Sequence, residues 1–331
     1  MIIVRTPFRI SFFGGGTDYP AWYREHGGAV LSTSINKYCY ISCRYLPQFF
    51  EHKHRIVYSR IENIRSISDI EHPAVRGVLE WTKMEQGLEI HHDGDLPARS
   101  GLGSSSAFTV GLLHAIATLR GQYVGNESLA RDAIHVEQNV IGENVGSQDQ
   151  ISAAYGGFNK INFLRNGGFE VNPVVIENDR SIELQSHLML CFTGISRIAS
   201  EVAKSKIENF INRQAELHAM QAMVDEGMRI LQDTSVPIEK FGALLHEGWV
   251  AKRRLSDKVS SSEIDAIYED ALRAGATGGK LLGAGGGGFL LLFVKPQNQL
   301  AVRERLKYLV HVPIAFDYSG SRVVLYQPNG L

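Results

Sequence analysis

Apolar and polar positions alternate through the opening of the chain, in "IIVRTPFRISFF", and again after the glycine turn "GGGTDYP", in "GAVLSTSI" and "YCYISCRYL". These runs are rich in β-branched and aromatic residues, so the segment reads as strands. A charged, irregular stretch follows over residues 52–69, then a helix over 75–86 and a short strand, "LEIHHDGDLP". That strand delivers "LPARSGLGSSSAFTVGLLHA", in which Phe108, Leu112, Ala115, Ile116 and Leu119 recur at helical spacing until Gly121. A helix therefore begins at the serines. A second helix opens near Asn126, a good capping residue, with Ala130, Ala133, Ile134 and Ile141 along one stripe. Glu137 falls on that same stripe.

From Ser181 the pattern changes: a strand "LMLCFTGI" is followed by helical regions over 199–234, 238–255 and 262–274. "GATGGKLLGAGGGGFLLLFV" then sets eight glycines ahead of a very apolar strand, and an amphipathic helix, "QLAVRERLKYLV", and a strand, "RVVLYQ", close the pattern. No internal repeat or low-complexity linker interrupts it. The turn-rich "RNGGFEVNPVVIENDRS" sets a boundary near residues 165–185, which predicts two α+β halves, 1–170 and 180–331.

Composition changes this picture little. With 331 residues, 44% hydrophobic and 21% charged, the chain is ordinary globular material. Its 34 basic residues against 35 acidic leave no electrostatic footprint for nucleic acid or an anionic membrane, so an anionic ligand must be met locally. Cys39, Cys43 and Cys191 read as buried reduced thiols. No apolar window reaches membrane-spanning length, and the opening segment carries arginines and no cleavage-type site, so the chain reads as cytoplasmic. Its expected partners are small molecules and, as a homodimer, a second copy of the chain.

The glycines define the chemistry by elimination. The Walker pattern around Gly279-Lys280 meets Ala274 and Leu281 where glycine and Ser/Thr are required. Gly283 to Gly288 fit G-x-G-x-x-G, yet a strand comes after them where a dinucleotide fold has a helix. Protein-kinase and serine-elbow strings are absent. By contrast, Gly101, Gly103 and Ser104 lead straight into a helix, leaving its first N–H groups open where the dipole favours an anion. A core-facing Glu137 is costly without a cation, and a magnesium ion shared with a helix-start serine and phosphate oxygens would account for both features. His52, His54, His91 and His92 lie in polar, loop-like surroundings without a spaced carboxylate and take surface or supporting roles. Lys252, Arg253 and Arg254 read as a solvated helix face.

Together these segments resemble a family. "LPARSGLGSSSAF" resembles the phosphate-binding second motif of the kinases of galactose, homoserine, mevalonate and phosphomevalonate, the GHMP kinases. "TPFRISFFGGGTDY" is similar to their first motif and "GGKLLGAGGGGFLLLF" to their third, in family order across nearly the whole chain. The resemblance implies an N-terminal domain of the ribosomal-protein-S5 type, a ferredoxin-like C-terminal domain, and ATP with Mg2+ in the cleft between them. It implies that Arg99, Ser100, Gly101, Leu102, Gly103, Ser104, Ser105 and Ser106 form the triphosphate loop, and that Ser105 and Glu137 hold the metal. Glu137, Gly142, Gly146, Asp149 and Gln150 match the galactokinase spacing. Asp149 is then the group that accepts or orients the hydroxyl proton, steadied by Arg9.

Gly14, Gly15, Gly16, Thr17, Asp18 and Tyr19 fall on the substrate side, with Arg197, Gly285 and Gly286, and the lysine-arginine helix has a family counterpart beside the substrate. Where galactokinases read G-E-H-T-D-Y, this chain has Gly15 and Gly16 for Glu and His. With "FTGISRIASEV", that departure resembles the branch of the family that phosphorylates a heptose 7-phosphate at its anomeric hydroxyl, to the 1,7-bisphosphate used for nucleotide-activated heptose. A galactose or fucose 1-kinase is the nearer alternative, and a non-catalytic homologue the further one.

Overall fold

The computed structural model describes residues 1–98, 100–195 and 199–328. The opening alternation becomes one long antiparallel pair, Ile2–Phe13 against Gly28–Tyr45, which forms the centre of a nine-stranded sheet. Leu88–Gly94 extends it on one side, followed by His54–Val57 and Ile61–Ile64. The stretch read as irregular is thus largely a hairpin. His54 is buried there, its Nδ1 accepting from the Leu88 N–H, so it is a core histidine and not a loop residue. Phe158–Phe163 pairs with the early half of Gly28–Tyr45, and Phe169–Pro173 lies outside it.

Ser104–Leu119 packs across this sheet, with Pro73–Trp81, Asn126–His135 and Gln148–Tyr155 around it. Its buried residues lie on nearly every side, which explains a segment so uniformly apolar after the serines.

The second half has a four-stranded antiparallel sheet in the order Val310–Val312, Leu188–Phe192, Phe289–Val294, Ala276–Leu281. Phe289–Val294 is buried at every position, as a central strand written FLLLFV must be. Helices Ala199–Asn209, Gln214–Gln232, Glu239–Arg253 and Ser262–Arg273 complete it, close to the regions read from periodicity.

The halves do not separate cleanly. Phe12 and Phe13 meet Phe241 edge-on at 5.3 and 4.9 Å, and one apolar cluster runs from the first sheet through Phe241 to Phe293. Phe316–Asp317 and Arg322–Tyr326 also return to the first sheet, pairing with Gly28–Tyr45 and Ile2–Phe13. The expected partition at residue 180 therefore assigns these last strands to the half whose sheet they do not join. All three cysteines are buried free thiols.

Candidate active site

The three glycine segments converge on one cleft of about 360 Å³. The phosphate loop is pinned from behind by its carbonyls: Leu102 O accepts from Arg9 N, Gly101 O from Arg9 Nη1 (2.7 Å) and Ser100 O from Phe289 N. Gly101 and Gly283 pack backbone against backbone, and a Cβ on Gly101 would lie 2.7 Å from Leu282 O. Only glycine permits that approach. Gly103, at φ 76°, then opens helix Ser104–Leu119, which has no side-chain cap and no acidic residue in its first turn. Its first N–H groups and dipole are therefore directed at whatever enters the cleft beside Ser104, Ser105 and Ser106.

Asp149 stands in the first turn of Gln148–Tyr155. Arg9 grips it with two parallel bonds of 2.8 Å, Nε to Oδ1 and Nη2 to Oδ2, and is itself 3% exposed. Such a fork fixes the carboxylate plane. The carboxylate also abuts the phosphate loop, since a Cβ on Gly103 would lie 3.5 Å from Asp149 Cγ.

Glu137 lies behind Ser106, in a single wide π-type turn, Val136–Val140, that follows Asn126–His135. Its Oε2 accepts from Ser106 Oγ (2.9 Å) and Gln150 Nε2 (2.5 Å), while its buried Oε1 has no partner among the described residues. Burial pushes the carboxyl up to about 7, against the pull of the neighbouring polar groups of Thr109, Ser106 and Gln150. Ser106, rather than Ser105, is the serine that touches Glu137. Ser105 is exposed at the cleft wall.

On the other side, Asp18 is buried and accepts from Gly16 N (2.8 Å). Burial raises its pKa, the Gly16 N–H offsets part of that, and the charge of Asp149 adds to it. Gly15, Gly16 and Tyr19 line the cleft with it. Gly14 and Thr17 do not: Gly14 packs on the Ala29 carbonyl, and Thr17 Oγ1 lies 2.8 and 2.9 Å from the Gly14 and Ala29 carbonyls, holding the turn. Gly285 and Gly286 back onto Val259, outside the cleft lining, with Gly286 N donating to Val259 O. Arg99 and Arg197 lie outside the described residues.

Three lysines were not read as site residues from the sequence. Lys252, assigned to a solvated helix face, is 4% exposed; its Nζ donates to Leu281 O (2.8 Å) and Gly283 O (2.7 Å), tying the third glycine segment to helix Glu239–Arg253. Lys280 donates to Phe12 O (2.7 Å) from the neighbouring strand. Lys206, on Ala199–Asn209, lies with its ammonium 5.3 Å from the Tyr19 ring centre. Burial pushes Lys280 down to about 7 and Lys206 to about 8, and holds Lys252 well below the usual lysine range. Neighbouring cations, Arg9 first among them, add to the shift at Lys280, whereas Asp18 and Asp149 oppose it at Lys206.

A phosphate loop at a helix start, a forked Arg–Asp pair beside it and three buried lysines in the same cleft suit phosphoryl transfer. Comparison with known proteins agrees. The models of the GHMP kinases N terminal domain and GHMP kinases C terminal match residues 70–157 and 237–311. The D-glycero-alpha-D-manno-heptose 7-phosphate kinase of Campylobacter jejuni is 31% identical over 92% of this chain and 93% of its own.

The chain belongs to the GHMP kinase family.

This GHMP kinase is also similar, at 25% identity over 88% of its length and 89% of the relative's, to the galactokinase of Pyrococcus furiosus. A crystal structure described as a D-glycero-D-manno-heptose 1-phosphate kinase from Bacteroides thetaiotaomicron superposes with a TM-score of 0.80, at 25% identity over 98% of both chains. The protein is accordingly a sugar kinase, a phosphotransferase acting on a sugar hydroxyl, in a family that uses ATP. No described helix is long and apolar enough to cross a membrane.

Proposed function

We propose that this kinase transfers the terminal phosphoryl group of ATP to the anomeric hydroxyl of D-glycero-D-manno-heptose 7-phosphate, giving the 1,7-bisphosphate. The observation that carries this reading is Asp149, locked by Arg9 against Gly103, in a cleft also lined by the buried Lys206, Lys252 and Lys280. The relative named a heptose 7-phosphate kinase supports this substrate, and the structure described as a heptose 1-phosphate kinase supports a heptose phosphate more broadly. So does Gly15, which puts no carboxylate where an acceptor longer than a hexose would extend.

The steps follow from the chain's own groups. Asp149 orients the acceptor hydroxyl and takes its proton as the oxygen attacks the terminal phosphorus. The bond to the bridging oxygen breaks, and its electron pair leaves with ADP. Arg9 holds the carboxylate in line and adds positive charge beside the transferring group. The loop from Gly101 to Ser106 fixes the triphosphate through backbone donors.

A divalent metal fits Glu137, whose unpartnered buried oxygen calls for a cation. No cluster of three metal-ligating side chains exists among the described residues, so Glu137 and the serines at the helix start would share the ion with phosphate oxygens. Mg2+ there would neutralise charge developing on the phosphates.

ADP release measured across a panel of sugars and sugar phosphates tests the assignment. Heptose 7-phosphate should give the highest kcat/KM. Preference for unphosphorylated galactose or fucose would overturn it in favour of a hexose 1-kinase.

A further inference from the structure

The cleft lining carries four cations, Arg9, Lys206, Lys252 and Lys280, and three carboxylates, Asp18, Asp149 and the half-exposed Glu143. The cations differ in what occupies them. Arg9 uses three of its donors on Asp149 and Gly101 O. Lys252 has two backbone carbonyls and Lys280 has one. Lys206 is 3% exposed and lines the cleft, yet makes no hydrogen bond and no ion pair within 4 Å among the described residues. Its stem is buried while its ammonium opens to the cleft, so its donors are available to a ligand there.

Its place in the fold says where that ligand comes from. The helix carrying Lys206 and the turn that follows it pack Ala203 and Phe210 into a small apolar cluster with Tyr19, Trp22, Leu217 and Leu255. Its ammonium faces the Tyr19 ring, and Asp18 and Asp149 are the carboxylates whose charges reach it. Tyr19 and Asp18 belong to the first glycine segment, a part of the cleft lining separate in the chain from the triphosphate loop. The loop already has backbone donors for the phosphates of ATP, so Lys206 stands on the side of the acceptor.

We propose that Lys206 is a specificity-determining residue that receives the phosphate dianion carried by the acceptor itself. This rests on the sugar-phosphate reading above. Without a hydrogen-bond or ion-pair partner among the described residues, Lys206 gains charge-assisted bonds only when the acceptor bears a phosphate, and so discriminates against the same sugar without one. Asp18 and Asp149 remain beyond ion-pair distance, which leaves space for the acceptor between cation and carboxylates.

The full chain, as wild type, Lys206→Met and Lys206→Arg, is assayed with heptose 7-phosphate and with the unphosphorylated heptose at saturating ATP. Wild type should favour the phosphorylated sugar by at least about 10²-fold in kcat/KM. Lys206→Met should lose most of that ratio through the phosphorylated substrate alone, and Lys206→Arg should regain part of it. With the triphosphate loop saturated by a non-hydrolysable ATP analogue, inorganic phosphate should raise the melting temperature of wild type further and not that of Lys206→Met, a readout independent of turnover.

A wild type without preference for the phosphorylated sugar sinks the substrate reading. A wild type with the preference, retained by Lys206→Met, sinks only the role of Lys206. Equal loss on both sugars would make Lys206 a positioning partner of Asp149 and overturn the proposal as well. A folding defect would show as a lower melting temperature for Lys206→Met in plain buffer, whereas removing an unpaired buried charge should leave it level or higher.

Discussion

The cleft is lined by two different materials. One is backbone: Gly101, Gly103 and the first turn of Ser104–Leu119, whose carbonyls are turned back to Arg9 and Phe289 and whose N–H groups open forward. The other is side chain: Lys206, Lys252 and Lys280, long stems from two helices and a strand that end in buried ammonium groups. Backbone dipoles do not titrate and cannot be deleted by point substitution. Lysines do and can. The loop wall is therefore suited to the invariant partner, a triphosphate, and the lysine wall to what distinguishes one acceptor from another.

Five measurements would break or sharpen this contrast. The largest effect belongs where the walls meet: Asp149→Asn should cut kcat by roughly 10²–10⁴-fold while the KM for ATP stays within about threefold. Retained turnover would mean that the proton leaves without this carboxylate. Next is Gly15, which lies outside the left-handed region and whose added Cβ would meet Ser11 Oγ at 3.8 Å and Gln148 Nε2 at 3.9 Å, ordinary contacts. Gly15→Ala should be nearly silent, whereas Gly15→Glu should cost about 10²-fold or more in kcat/KM for a phosphorylated acceptor through charge repulsion. Equal losses would show the position to be steric.

Third, kcat/KM should fall by roughly tenfold or more from pH 7 to pH 9. Lys280, at about 7, and Lys206, at about 8, lose their protons across that window in the free enzyme. A flat profile would remove the lysine wall from binding. Fourth, Glu137→Gln should raise the magnesium concentration for half-maximal rate several-fold, because a ligand charge is lost and not a proton acceptor. Superimposable titrations would count against the metal assignment.

The smallest effect is on stability. Lys280 is depressed from an ordinary 10.5 to about 7, so the unfolded chain binds more protons between those values. Stability rises with pH across that window, and below it the penalty of the buried charge is complete. The melting temperature of Lys280→Met relative to wild type should be highest near pH 7 and drop by a few degrees toward pH 10. A difference that does not change with pH would contradict the burial argument.

The same contrast explains what was legible in the sequence. A glycine-serine loop is local: thirteen consecutive letters, "LPARSGLGSSSAF", carry the turn, the helix start and the anion site. Glu137 was found because a carboxylate on the stripe of Ala130, Ala133 and Ile134 is anomalous. Lys206 sits on an equivalent stripe with Val202, Ala203 and Phe210, and the same test applied there would have found it. It was passed over because lysine is ordinary on an amphipathic helix, and because the residues that bury it, Tyr19 and Trp22, are far away in the chain. Lys252 was hidden by two neighbouring arginines that suggested a solvated face. The hairpin at His54–Val57 and Ile61–Ile64 was obscured by charges that alternate with its buried positions, and the partition of the halves by a tail that crosses back.

That returning tail bears on how the protein is made. Arg322–Tyr326 pairs with Ile2–Phe13, and Ser321 Oγ lies 3.0 Å from Thr6 Oγ1 and from His114 Nδ1. While the chain is being synthesised, the first strand leaves the ribosome early and then waits for more than three hundred residues before its outer neighbour arrives. Until that moment Ile2 and Val4, fully covered in the finished molecule, flank an open sheet margin. The nascent first half is thus an unfinished sheet with a sticky edge, and its closure depends on the very long-range pairing that slows folding. Chaperone capture of ribosome-bound chains should concentrate on this edge and end once the residues through Tyr326 have emerged.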